Sequence, residues 1–147
     1  GLGGGFPIGA CLTTKEVGAS MVVGTHGSTF GGNPLATAVG NAVMDLLLED
    51  GTLKKVIEKG SYLNAELKRL QLKHHEFLDS VHGLGLMIGV KCKIPCSDLA
   101  LSLRNNNLLV GQSGANMVRL LPPLNVAQPE LEKAISIFDK TLEEITR

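Results

Sequence analysis

Gly1-Leu2-Gly3-Gly4-Gly5-Phe6-Pro7-Ile8-Gly9 opens the chain, and the reading of this stretch decides how the remainder is organised. Four of its first five residues are glycine, a proline follows, and an apolar run then begins. Glycine lets the backbone turn tightly and approach other groups closely, so the stretch reads as a backbone-exposing loop leading into a strand. The strand expected is Pro7 to Leu12, a short buried run closed by Thr13-Thr14.

Working outward, residues 24 to 34 (Gly-Thr-His-Gly-Ser-Thr-Phe-Gly-Gly-Asn-Pro) form a second loop of small and turn-forming residues. Its backbone amides are open to a ligand, and Ser28 and Thr29 supply hydroxyl donors. Asn33 is placed to cap a helix with Pro34 at its first position, where the missing N–H costs nothing. That helix is expected to reach about Glu49. Its apolar residues Leu35, Val39, Ala42, Val43, Leu46 and Leu47 recur at three and four with alanine between, which predicts deep burial.

Asp50-Gly51 breaks the pattern, and Thr52 starts a second helix to about Leu72. Leu53, Val56, Ile57, Leu63, Leu67 and Leu70 form one stripe against a charged opposite face. Val81 to Gly85 reads as a turn-rich entry to a strand over Leu86 to Val90. A short helix is expected from Ser97 or Asp98 to about Arg104, and strands over Leu108 to Val110 and Met117 to Leu121. The last helix begins near Pro129 and runs to the C-terminus, with Leu131, Ile135, Phe138, Leu142 and Ile145 buried. Strands and helices interleave, so the fold class is α/β, and a small sheet covered on one face by helices fits residues 50 to 147. Residues 1 to 49 are glycine-rich and end in a long apolar helix that cannot close a core alone.

Composition narrows the function. The chain has 147 residues, with 14 Lys and Arg against 14 Asp and Glu, so no net field favours nucleic acid or an anionic membrane. Aromatic residues are scarce and Trp is absent, which removes a base-stacking surface. No apolar stretch approaches the length of a bilayer span. Cys11, Cys92 and Cys96 are too few and too poorly supported by His74 and His75 for a zinc site, so no metal is expected and the thiols read as reduced. Lys15 stands in a polar turn, poor company for a lysine whose amine must be a nucleophile. His26 reads as a loop histidine, and the GLGGG run lacks the preceding strand and following helix of a dinucleotide site.

Four blocks stand in a fixed order: GLGGGFPIGA from Gly1, HGSTFGGNPLA from His26, GLGLMIGV from Gly83 and VRLLPPL from Val118. In that order they resemble the class III aminotransferases, pyridoxal phosphate (PLP) enzymes of fold type I, and most of all their acetylornithine/ornithine group. The resemblance implies the end of the large PLP-binding domain and a linking helix over 1–49, and the small C-terminal α/β domain over 50–147. It implies that the Schiff-base lysine falls one residue before Gly1. No catalytic residue is then expected within the chain, which on its own is expected to be inactive. Thr29 is implied to bind the PLP phosphate across a homodimer, Ser28 to contact the acylated substrate, and Arg119 to meet a substrate carboxylate. A guanidinium fork suits a carboxylate bidentately; the alternative for Arg119 is a structural ion pair.

The implied reaction moves the terminal amino group of N-acetylornithine to 2-oxoglutarate, in arginine biosynthesis in the cytoplasm. Ornithine, succinylornithine and 4-aminobutyrate aminotransferases share much of the pattern. A mutase of the same fold, or a free-standing α/β interaction domain without chemistry, are the competing readings.

Overall fold

In a computed structural model, residues 1–145 are described, and they divide into two compact units, Gly1–Leu53 and the residues from Lys54 onward. The division falls inside the first turn of the long helix that starts at Thr52.

The first unit holds two helices, α1 (Lys15–Gly18) and α2 (Pro34–Leu48). α1 is a single turn capped by Thr14, whose hydroxyl accepts the Val17 N–H at 3.3 Å. The strand expected over Pro7 to Leu12 is not formed: these residues are largely exposed and pair with no other strand among the described residues. An apolar run becomes a strand only where a neighbour takes up its backbone groups, and none does here. The opening loop instead turns on itself through Gly4 N–H to Gly1 O at 3.0 Å and Phe6 N–H to Gly3 O at 2.9 Å. It then rests on α2, with Ile8 and Leu2 against Gly40.

α2 begins where its cap and proline dictate, with the Asn33 side chain accepting the Ala36 N–H at 2.9 Å. Its expected deep burial is overturned, because only Ala36 and Gly40 are buried and Leu35, Leu46 and Leu48 are exposed. Apolar residues on every side of a helix bury only where neighbours exist, and this unit supplies them along one line.

The second unit contains α3 (Thr52–Lys73), β1 (Leu78–Leu84), β2 (Met87–Cys92), α4 (Cys96–Asn105), β3 (Gly111–Ser113), β4 (Met117–Leu120) and α5 (Gln128–Ile145). The strands form one antiparallel sheet in the order β1-β2-β4-β3. Two expectations shift here. The segment read as an entry turn belongs to β1, since the turn is confined to Gly85 and Leu86. The short strand read at Leu108 to Val110 lies at Gly111–Ser113 instead. The expected run of the last helix to the C-terminus extends past the described residues.

The core lies on one face of the sheet. Ile88, Val90 and Cys92 of β2 and Val118 and Leu120 of β4 point into it. Against them pack Leu63, Leu67 and Leu70 of α3, Leu99 and Leu103 of α4, and Leu131, Ile135, Phe138 and Leu142 of α5. Leu53 and Ile57, expected in the α3 stripe, are exposed. Alternate strand residues turn to the outer face, which the helices leave uncovered.

Gly60 sets how closely α3 approaches the β1–β2 hairpin. A Cβ there would fall 2.5 Å from the Gly85 carbonyl oxygen, a contact with backbone that cannot swing aside. Gly85 itself has φ +55°, and Gly83 has φ +138° with its missing Cβ 2.2 Å from the Met87 oxygen. Gly60→Ala is therefore expected to lower stability by about 1–3 kcal/mol through overpacking, while Ser61→Ala on the exposed side changes it by less than about 0.5 kcal/mol. Thermal denaturation of the two variants checks the contrast.

α3 and α5 are also joined by charge. Lys73 Nζ lies 2.8 Å from Asp139 and 2.7 Å from Glu143, and the buried His74 Nε2 lies 2.6 Å from Asp139 Oδ1. Burial alone would raise the Asp139 carboxyl, but hydrogen bonds from Lys73 and His74 outweigh it and hold the group below its ordinary value. A depressed carboxyl adds stability above its unfolded pKa of about 3.9, and that stability is lost as pH falls through the lower folded value. Asp139→Asn is expected to cost about 1–2 kcal/mol at pH 7, with the gap to wild type closing near pH 2. Urea midpoints across that range test it.

Candidate functional site

The loop that carries Ser28 and Thr29 is shaped by its glycines. Gly31 N–H donates to Ser28 O and Asn33 N–H to Phe30 O, both at 3.3 Å, giving two successive turns. A Cβ at Gly31 would lie 2.9 Å from the Ser28 Cβ, so the first turn closes only with glycine there. Asn33 fastens the loop at its far end, donating from Nδ2 to Phe30 O at 2.9 Å while capping α2. The loop and the helix start thus share one side chain.

The Ser28 and Thr29 hydroxyls are exposed and have no hydrogen-bond partner among the described residues. The same holds for the backbone N–H groups of Gly27, Ser28, Thr29, Phe30 and Gly32. A Cβ at Gly27 or Gly32 would meet nothing within 4 Å, so access is open. The first turn of α2 contains no acidic residue to compensate the positive end of the helix. Free hydroxyls, free amides and an uncompensated helix start form a donor set that fits a phosphate group. His26 lies in the same loop, exposed and without a hydrogen bond among the described residues.

Arg119 belongs to the second unit, on the outer face of β4. It pairs in register with Gly89 of β2 on one side and Gly111 of β3 on the other. No acidic side chain pairs with it, so the ion-pair alternative finds no partner among the described residues. Its Nε is sealed from solvent and makes no hydrogen bond. A guanidinium left without an acceptor is placed to receive a carboxylate from a ligand. Ser28 and Thr29 are thus adjacent in one unit, and Arg119 stands in the other.

The remaining chemical side chains fall elsewhere. Lys15 is exposed at the start of α1. Cys92 is buried, its thiol pushed up by that burial, and Cys11 and Cys96 are free. Among the described residues no three His, Cys, Asp or Glu side chains gather to hold a metal ion, and no helix is long and apolar enough to cross a membrane. Sequence reasoning passed over Asn116. It has φ +58°, and its Nδ2 donates to the oxygens of Cys92 and Ile94 while Oδ1 accepts the Cys96 N–H, each at 2.8 Å. An asparagine in a Gly-Ala-Asn turn is the signal that could have found it.

The class-III aminotransferase family profile matches residues 1–142. The chain belongs to the class III aminotransferases. It is 46% identical over 136 residues to the acetylornithine aminotransferase of Mesorhizobium japonicum, covering 92% of this chain and 34% of that protein. Among solved structures it is similar to the N-acetylornithine aminotransferase of Stenotrophomonas maltophilia, with a TM-score of 0.81 and 26% identity over 99% of this chain and 38% of the other. It is also similar to an ornithine aminotransferase of Toxoplasma gondii described with partial occupancy of PLP at its active site, with a TM-score of 0.77 and 27% identity over 90% of this chain and 33% of that one. The chain spans about a third of the length of the curated relatives it matches. Its fold is that of the matching portion of these PLP-dependent, fold-type I enzymes.

Within this class III aminotransferase chain, Asn33 couples loop to helix. Asn33→Ala is expected to cost about 1 kcal/mol and Asn33→Asp much less, because aspartate caps as well. Hydrogen exchange at the Ala36 amide, which the cap holds, is expected to quicken in the alanine variant and stay near wild type in the aspartate one.

Proposed function

We propose that this chain is the C-terminal part of a PLP-dependent acetylornithine aminotransferase, which moves the terminal amino group of N-acetylornithine to 2-oxoglutarate in arginine biosynthesis in the cytoplasm. Residues 1–49 are then the end of the large cofactor-binding domain and 50–147 the small domain. The observation that carries the reading is the free donor set at Ser28 and Thr29, in a loop that precedes the capped start of α2.

Bound PLP supplies an electron sink and carries the amino group from donor to acceptor. Within this chain, the Thr29 hydroxyl would hold the cofactor phosphate as a hydrogen-bond donor, and the neighbouring amides and the α2 helix start would complete the cradle. The Ser28 hydroxyl donates to the acyl group of the substrate. Arg119 binds a substrate carboxylate and fixes the orientation of the reacting carbon. No lysine of this chain is assigned the proton transfer.

The loop is proposed to serve the active site of a second subunit. Val23 and Phe30, close in sequence to Thr29, are exposed apolar side chains, and a homodimer would cover them. Ornithine is the alternative donor, favoured by the similarity to ornithine aminotransferases of known structure at 27% identity.

In the full-length enzyme, absorbance above about 400 nm, the range that reports lysine-bound PLP, is expected to fall when N-acetylornithine is added. A response to ornithine alone would move the assignment to that donor, and no response to any amine would overturn the reading. Thr29→Ala is expected to weaken cofactor retention about tenfold or more, the loss of one charge-assisted hydrogen bond, as measured by PLP release on dialysis.

A further inference from the structure

The outer face of the sheet can be laid out from its register. One row runs His82, Gly89, Arg119, Gly111 across β1, β2, β4 and β3. Arg119 is thus flanked by glycine on both neighbouring strands. Neither Gly89 nor Gly111 has positive φ, so backbone conformation does not call for glycine at either place. What glycine provides there is room.

The room at Gly111 is taken up by the arginine. A Cβ at Gly111 would lie 3.6 Å from Arg119 Nε and 3.7 Å from Nη2, while the guanidinium carbon is farther off than either nitrogen. The Nε–Nη2 edge of the fork, not its flat face, is therefore turned toward the edge strand. This docking explains why Nε is sealed from solvent without an acceptor. The two terminal nitrogens, also without protein partners, are not sealed. On the other flank, a Cβ at Gly89 would fall 3.3 Å from Met117 Sδ, so the methionine takes up the room beside that strand.

We propose that Gly111 is a positioning residue for Arg119, docking one edge of the guanidinium against β3 so that the terminal Nη1–Nη2 edge is the one offered to a substrate carboxylate. The proposal rests on the reading of Arg119 as the carboxylate-binding residue. It also limits what position 111 can hold. A methyl group meets the nitrogens at ordinary contact distance, so alanine is compatible. Carbons a further bond of about 1.5 Å out, as in a β-branched residue, displace the guanidinium.

The test uses the full-length enzyme with glutarate, a dicarboxylate that cannot accept an amino group, and measures its binding by calorimetry. Gly111→Ala is expected to bind within about twofold of wild type, and Gly111→Val about tenfold more weakly, the loss of one good charge-assisted hydrogen bond. In turnover, Gly111→Val is expected to raise KM for both substrates and, through the lost orientation, to lower kcat by a smaller factor, while leaving the melting temperature near wild type. A merely structural role for the glycine would not produce that split. Arg119→Lys is run alongside, and the double variant Gly111→Val/Arg119→Lys is expected to bind no worse than Arg119→Lys alone. Unchanged glutarate binding in Gly111→Val, with weakened binding in Arg119→Lys, overturns the role of Gly111 and leaves the arginine assignment standing. Unchanged binding in Arg119→Lys overturns the arginine assignment and the proposal with it. If valine prevents folding, Gly111→Thr, also β-branched and well suited to a strand, is read by the same criteria.

Discussion

The close seating of α3 on the β1–β2 hairpin is the constraint from which the architecture of the second unit follows. Gly60 lets the helix backbone come against the Gly85 backbone, and only at that distance do Leu63, Leu67 and Leu70 reach Ile88 and Val90 of the sheet. With α3, α4 and α5 all packed on that face, the opposite face has no helix of its own. The alternation of strand side chains then places Arg119 outward while its neighbours Val118 and Leu120 are buried. A charged residue within an apolar tetrapeptide is thereby delivered to a surface where a ligand can approach. The packing of the core and the presentation of the arginine have one cause.

The first unit is built on a different balance. Its residues make local turns and two capped helices, and little of its apolar surface is buried. Val23, Phe30, Leu35 and Leu48 stand exposed in an otherwise well-formed piece of chain. The chain spans about a third of the length of the curated relatives it matches, and apolar surface left open in this way is the kind that interaction partners cover. The polar loop at Ser28 and Thr29 shares this character, with donors that have no acceptor within the unit.

Much of this organisation was legible in the sequence, and the failures have physical reasons. Asn33-Pro34 marked a helix start because capping is a local interaction, settled within four residues, whereas Thr52, read as a cap, is the first residue of α3 itself. The stripe of α5 was legible because Leu131, Ile135, Phe138 and Leu142 repeat at the helical period. Burial was not legible for α2 or for Pro7 to Leu12, because it depends on neighbours that a local pattern cannot name. The β1 strand was hidden by Gly83, which reads as a turn but here serves a strand carried into a tight hairpin. For the candidate site, Ser28, Thr29 and Arg119 came from ordered blocks of sequence. That Arg119 has no ion-pair partner among the described residues, and that Asn116 clamps the segment leading to α4, depended on contacts between distant positions.

Glycine shows why sequence alone stops where it does. The chain contains 18 glycines, and as letters they are identical. Gly83 and Gly85 are fixed by positive φ, which penalises any side chain. Gly60 has an ordinary helical backbone and is fixed by another backbone 2.5 Å from its missing Cβ. Gly111 has neither constraint; its nearest neighbours are the nitrogens of one arginine. The first two kinds hold the fold together, and their replacement is paid in stability. The third touches a group that the fold does not otherwise use, so its replacement alters where a charge is held while the core stays intact. A glycine whose missing Cβ lies nearest the nitrogens of an unpartnered ionic side chain, with only that residue's backbone oxygen as close, is therefore better explained by what the side chain must reach than by the fold around it.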